Sequence, residues 1–166
     1  MKYRLKETWF LLTFVLPVVF FAYGAEPVKN IIFMIGDGMG YQQVRAAGMY
    51  KGGPLCFESF PHTAQQTTLS AGDSITDSAA GSTALATGVK VSNDVLSLRI
   101  PGDASRLETI LEYAKKRGRR TGLVTTVPMT HATPAGFGAH AESRSDTATI
   151  AYEYLNVSHP NVLLGC

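Results

Sequence analysis

The sequence predicts an α/β fold, a parallel-type central sheet flanked by helices. Two observations predict it. Three short apolar runs, at residues 30–35, 121–127 and 161–164, are unbroken rather than alternating, as in strands buried on both faces. Between them lie segments with helix start and stop signals. The order is β-α-β-α-β, the pattern of a parallel sheet covered on both sides.

The chain opens on a leader. Lys2, Arg4 and Lys6 make a basic start, and an apolar run from Trp9 to Phe21 follows, broken only by Thr13 and Pro17. Ala22-Tyr23-Gly24 then offers small residues two apart. This is the form of a secretory signal peptide over residues 1–24, with cleavage after Gly24 or Ala25. A membrane anchor is the weaker reading, because the run is shorter than the roughly 20 residues that span a bilayer. Residues 25–166 are then the exported portion.

Asn30 to Ile35 is the first expected strand, closed by a tight turn at Gly36-Asp37-Gly38. Residues 41–50 allow a helix, ended by Gly52-Gly53-Pro54. Thr63 to Leu69, rich in Thr and Gln, reads as a weaker strand. Asp77-Ser78 opens a helix of small residues that runs to Thr87 and stops at Gly88. Ser105 to Arg117 places Leu107, Ile110, Leu111 and Ala114 at helical spacing before Gly118. Thr121 to Val127 is β-branched and apolar, the second strand. Thr133-Pro134 looks like an N-cap followed by proline at the first helical position. Ser145-Asp146 begins a helix to about Leu155, and Asn161 to Leu164 starts a further strand. An apolar strand at an open edge is an aggregation liability, so the complete protein is expected to continue beyond this incomplete sheet.

The 166 residues are 45% hydrophobic and 17% charged, which suits one globular domain. Residues 1–24 hold Lys2, Arg4, Lys6 and Glu7. Without them Lys+Arg falls from 15 to 12 and Asp+Glu from 13 to 12, so the net charge drops from +2 to 0. No basic stripe remains for nucleic acid. Export permits a disulfide, and Cys56 and Cys166 are the two cysteines. Their pairing stays open, and two cysteines make no metal-binding pattern. Asn156-Val157-Ser158 fits the short N-glycosylation sequon.

Three places carry candidate chemistry. Asp37 follows a predicted strand, at the sheet edge where open α/β folds bind ligands. Its carboxylate is a hard donor suited to Mg²⁺ and acceptable to Zn²⁺, although, taken alone, a plain Asp-Gly turn is the favoured reading. Ser78 stands at a helix start, where free N–H groups and the dipole favour phosphate. It still needs a metal or base to lose its proton, and an ordinary cap on a close-packed helix is the bland alternative. His131 and Thr133 follow the second strand and so reach the same edge. A threonine hydroxyl can ligate Mg²⁺, a histidine can ligate metal or hold water, and Arg144 can grip two phosphate oxygens with its planar fork. The alternative is a capping threonine, a loop histidine and a surface arginine. Convergence on one edge points to metal-assisted phosphate chemistry. Ser-His-Asp acyl hydrolysis fits less well, because Thr76-Asp77-Ser78-Ala79-Ala80 is not a G-x-S-x-G elbow. Walker-A and G-x-G-x-x-G patterns are absent.

These residues also carry a resemblance. Asn30-Ile31-Ile32-Phe33-Met34-Ile35-Gly36-Asp37-Gly38-Met39-Gly40 resembles the opening strand and turn of alkaline phosphatases. Thr76-Asp77-Ser78-Ala79-Ala80-Gly81-Ser82-Thr83-Ala84, running to Lys90, resembles their nucleophile segment. Thr130-His131-Ala132-Thr133-Pro134-Ala135, with Ala139-His140 and Ser143-Arg144, resembles their third signature block. The three stand in family order and span about Val28 to Leu164.

The resemblance implies roles. Ser78 attacks phosphorus and becomes a phosphoserine, and it is also a metal ligand. Asp37 bridges a zinc and a magnesium, Thr133 binds magnesium, and Arg144 holds the phosphate oxygens. His131 stands where some bacterial members have Asp and many others His, which bears on the magnesium site and its metal preference. The implied reaction is a two-step in-line displacement on phosphomonoesters, with two Zn²⁺ and one Mg²⁺ in the full-length enzyme. Homodimers are usual in that family. The remaining metal ligands of the family are Asp, His and Glu residues from a portion beyond this chain, so the chain reads as an N-terminal part, inactive alone. Two other readings are an exported, non-catalytic phosphate- or metal-binding remnant, and a neighbouring phosphotransfer or sulfatase enzyme. The Asp77-Ser78-Ala79 run counts against the last.

Overall fold

A computed structural model describes residues 28–72 and 75–166. The chain divides into two units at Met34/Ile35. In the first, residues 28–34 carry no helix or strand. The signal peptide expected at 1–24 lies outside the described residues.

In the second unit the elements are α1 (Tyr41–Lys51), α2 (Ser78–Thr87), α3 (Ile110–Lys116), β1 (Gly122–Val124), α4 (Ala132–Gly138), α5 (Thr147–Glu153) and β2 (Val162–Leu164). A 3-10 turn covers Cys56–Ser59 and a π-helical turn, Tyr154–Ser158, continues α5. No helix among the described residues is long and apolar enough to cross a membrane.

β1 and β2 pair in parallel, Gly122 with Val162, Leu123 with Leu163 and Val124 with Leu164. This is the expected parallel arrangement, joined through α4 and α5; β1 is shorter at both ends than its apolar run and β2 begins one residue later than its own. Leu123 is buried in the main core while Val124 stays largely exposed, so one face of the pair is packed. Two expected strands do not form. Residues 30–35 carry none, because an apolar run without a ladder neighbour gains no strand hydrogen bonds. Residues 63–69 contribute only Leu69, in an isolated antiparallel bridge to Ile75. Their Thr and Gln side chains offer little apolar surface to pack.

The helices follow their punctuation. α1 ends at Gly52, whose φ of 76° is the left-handed cap glycine tolerates. In α2, Asp77 caps the start by accepting the Ala80 N–H, and Gly88 at φ 75° ends it. α3 begins later than the spacing suggests. Thr109 and Glu112 form a reciprocal capping box that fixes its first residue at Ile110. In α4 the cap position is His131, not Thr133, and His131 makes no side-chain cap bond. Thr133 lies inside the helix, because its hydroxyl is engaged elsewhere. Asp146 caps α5 by accepting the Thr149 N–H.

α2 and α4 form the centre of the core. Ala79, Ala80, Ser82, Thr83 and Ala86 are buried on α2, and Ala132, Pro134, Ala135, Gly136 and Phe137 on α4. A Cβ on Gly136 would lie 2.2 Å from Ser82 Oγ, so only glycine permits this approach. The Ser82 hydroxyl donates to the Ala132 carbonyl at 3.1 Å, and Ser97 Oγ donates to the Gly136 carbonyl at 2.6 Å. An antiparallel bridge between Leu96 and Ala141 ties the segment after α2 to the segment after α4.

Cys56 and Cys166 are both free and exposed. Asn156 is exposed in the π-helical turn, its amide donating to the Tyr152 carbonyl at 3.0 Å.

Candidate active site

Asp37 stands in the tight turn the glycines predict. Met39 N–H donates to the Gly36 carbonyl at 3.2 Å, and Gly38 takes φ 66°. The turn leads straight into α1, so the Asp37 carboxylate projects from a loop rather than from a helix. Ser78 is the first residue of α2, placed there by the Asp77 cap. Thr133 is the second residue of α4.

The three side chains meet. Ser78 Oγ donates to the Asp37 carboxylate, 3.1 Å from Oδ1 and 3.0 Å from Oδ2. Thr133 Oγ1 donates to Asp37 Oδ2 at 2.8 Å. The residues are 41 and 96 positions from Asp37 in sequence, so only the packing of α2 on α4 brings the two hydroxyls to one carboxylate.

Arg144 is held beside this trio through Asp77. Its Nη1 donates to Asp77 Oδ2 at 3.2 Å, with both side chains about a quarter exposed. Asp77 Oδ1 receives the Ala80 N–H at 2.9 Å, and Oδ2 also receives the Asp94 N–H at 3.1 Å. One carboxylate therefore caps the helix of Ser78 and anchors the guanidinium. The sequence marks Asp77 as a cap; its pairing with Arg144, 67 positions away, is visible only in the fold. His131 is exposed at the start of α4, two residues from Thr133, and among the described residues its side chain joins none of these hydrogen bonds.

A second polar group joins Arg106, His140 and Glu153. Arg106 grips Glu153 with two arms, at 3.0 and 2.6 Å. Its Nη2 also lies 2.9 Å from Nδ1 of the buried His140, whose Nε2 faces the Leu107 carbonyl at 3.0 Å. Burial raises the Glu153 carboxyl, but the hydrogen bonds and charge of Arg106, with His140 beside it, outweigh burial and hold it below the usual glutamate range. Tyr154 donates to the Met129 carbonyl at 3.0 Å, and burial pushes its phenol well above the ordinary value.

The donor chemistry can be tested against the implied metals. A carboxylate and two hydroxyls converging on one point are hard oxygen donors, the set that suits magnesium with water completing its shell. Zinc does not fit in the same way. It takes three or four nitrogen, sulfur or carboxylate ligands, and among the described residues no group of three His, Cys, Asp or Glu is placed to hold a metal.

Comparison with known proteins identifies relatives of the chain. A family model described as alkaline phosphatase matches residues 28–160. Alkaline phosphatase 3 of Bacillus subtilis is 39% identical over 154 residues, covering 84% of this chain and 33% of that one. The alkaline phosphatase of Escherichia coli K12 is 42% identical over 129 residues, covering 72% and 27%. Among solved structures, the alkaline phosphatase of the Antarctic bacterium TAB5 superposes with a TM-score of 0.66 at 33% identity, over 70% of this chain and 34% of that one. A His-to-Asp variant of that enzyme has Mg bound in what is termed its M3 site. The chain thus spans about a third of the length of the relatives it matches.

Proposed function

Because this chain belongs to the alkaline phosphatase family, we propose that it supplies the nucleophile half of a metal-dependent phosphomonoester hydrolase that works through a phosphoserine on Ser78. The observation that supports this best is the meeting of Ser78 and Thr133 on Asp37, on one side of the Asp77–Arg144 pair.

The chemistry follows from those placements. A phosphomonoester docks with its non-bridging oxygens toward Arg144, whose unengaged N–H groups form a fork matched to phosphate. The N-terminal N–H groups of α2 add favourable charge at the same place. Ser78 Oγ forms a bond to phosphorus as the bond from phosphorus to the alcohol oxygen breaks, and the alcohol leaves with a proton. As the O–P bond forms, Ser78 Oγ loses its proton on the side where Asp37 already accepts the hydroxyl. In the second step water attacks phosphorus as the bond to Ser78 breaks, one water proton returns to Ser78 Oγ, and inorganic phosphate leaves. Two in-line steps give net retention at phosphorus. When bound, the metals lower the pKa of attacking oxygens and spread the charge of the transferring phosphoryl group. Asp37, Thr133 and Ser78 are the residues here that would offer oxygens to magnesium, and His131 stands two residues before Thr133. The complete enzyme is proposed to carry two Zn²⁺ and one Mg²⁺, to act as a homodimer, and to be exported by the leader at 1–24.

The test uses the natural polypeptide, captured with an antibody to residues 25–166 and supplied with Zn²⁺ and Mg²⁺. It is mixed with a chromogenic phosphomonoester and quenched in acid, and its peptides are read by mass spectrometry. Phosphate on Ser78, lost together with turnover in Ser78→Ala, is the expected result. Turnover that survives Ser78→Ala overturns the mechanism. Phosphate binding without turnover selects the non-catalytic remnant instead.

A further inference from the structure

Asp94 is one of four non-glycine residues with positive φ among the described residues, at 76°. It is the third residue of a turn closed by the Val95 N–H on the Ser92 carbonyl at 3.4 Å. Positive φ at the third turn residue is the variant that Gly, Asn and Asp reach readily and β-branched residues do not. Backbone held in a sparsely populated region calls for a functional explanation, and here the contacts supply one. The Asp94 N–H donates to Asp77 Oδ2 at 3.1 Å. The Asp94 carbonyl accepts the Arg144 N–H at 2.7 Å, and its carboxylate Oδ1 lies 3.3 Å from the same nitrogen. One residue thus touches both ends of the Asp77–Arg144 ion pair. Neighbouring bonds fix the turn itself. Asn93 Oδ1 accepts the Asp77 N–H at 3.0 Å, and the Leu96–Ala141 bridge locks the segments on which Asp94 and Arg144 stand.

We propose that Asp94 is a positioning residue for Arg144: from a left-handed turn it holds the Arg144 main chain and the Asp77 carboxylate that receives the guanidinium, and so sets where phosphate is gripped. This rests on the reading of Arg144 as the phosphate-binding arginine. With the turn flipped, the Asp94 N–H and carbonyl point away, and both the carboxylate and the Arg144 backbone lose a fixed partner. Phosphate affinity then falls while the folded core, which Asp94 does not enter, stays intact.

The experiment measures inorganic phosphate binding, KM, kcat and thermal unfolding on the metal-loaded natural polypeptide carrying Asp94→Asn, Asp94→Gly, Asp94→Ala or Asp94→Val, with Arg144→Ala as reference. Asn and Gly accept the left-handed turn, so phosphate binding should stay within about twofold of the parent, because the backbone bonds persist. Ala should weaken it severalfold and Val by about tenfold, the scale of one lost charge-assisted contact, with KM rising more than kcat falls. Should Asp94→Val fail to fold, Asp94→Ala against Asp94→Gly makes the same comparison. A folded Val or Ala variant with parental phosphate affinity overturns the proposal, and so does an Asn variant as impaired as Val. If Arg144→Ala itself leaves phosphate binding unchanged, the reading of Arg144 fails instead, and the two failures are told apart.

Discussion

Asp77 and Arg144 share one carboxylate oxygen, 3.2 Å from the guanidinium, while the other oxygen of that carboxylate caps the helix that begins at Ser78. The nucleophile and the arginine are therefore placed by a single side chain. Removing it with Asp77→Ala should cost about 1–2 kcal/mol, the usual cost of losing an N-cap. Asp77→Asn keeps a capping oxygen and should cost only a few tenths of a kcal/mol, because a partly exposed ion pair contributes little by itself. Urea unfolding of the two variants decides this, and equal losses would show that the ion pair, not the cap, carries the stability.

Gly136→Ala should destabilise by about 1–3 kcal/mol, the range for overpacking a full core. The new methyl would meet Ser82 Oγ at 2.2 Å and Ser82 Cβ at 2.8 Å, with backbone behind them. Adding Ser82→Gly should recover part of the loss. A double-mutant cycle by denaturant unfolding reads the coupling, and simple additivity would contradict the contact.

Acid should weaken the fold partly through Glu153. Its carboxyl is held below the usual value, since Arg106 and His140 outweigh burial. A depressed carboxyl contributes stability that is fully present above the ordinary value of 4.5 and is lost as pH falls through the lower folded value. Glu153→Gln should flatten that part of the stability curve and lower the plateau above it, because Arg106 keeps only a neutral acceptor. Denaturation midpoints measured across the acid range check the sign, and parallel curves for the two proteins would refute it.

Thr133→Val should weaken Mg²⁺ uptake, and Thr133→Ser should retain it, because the serine keeps the oxygen now 2.8 Å from Asp37. Asp37→Asn should weaken uptake more than either, since it removes the charge on which both hydroxyls converge. Titration calorimetry after chelator treatment separates the three. Equal affinity in the Val and Ser variants would remove Thr133 from the metal site.

Much of this site is local in sequence and was legible there. The Gly36-Asp37-Gly38 turn, the Asp77 cap, the Gly88 stop and the α5 cap at Asp146 each depend on neighbours within four residues. The Thr109 and Glu112 capping box was equally readable, yet the apolar spacing from Leu107 pulled the expected helix start too early. Thr133 resembled a cap because proline follows it, but a partner 96 residues away takes its hydroxyl. Long-range polar pairs behave this way throughout. Arg106 with Glu153 and Arg144 with Asp77 join surfaces that only the packed helices bring together. The strand expected at 30–35 shows the opposite limit, since an apolar run states that it needs a neighbour without naming one.

The glycine-to-serine contact between α4 and α2 has a consequence for how such a sequence can drift. Residues 82 and 136 share one small volume, so a lineage that enlarges either must shrink the other or respace Ser78 and Thr133. Exposed His131 carries no such obligation. The spacing of Ser78 and Thr133, which stand on the same two helices, therefore depends on two residues that take no part in the chemistry and that must stay small together.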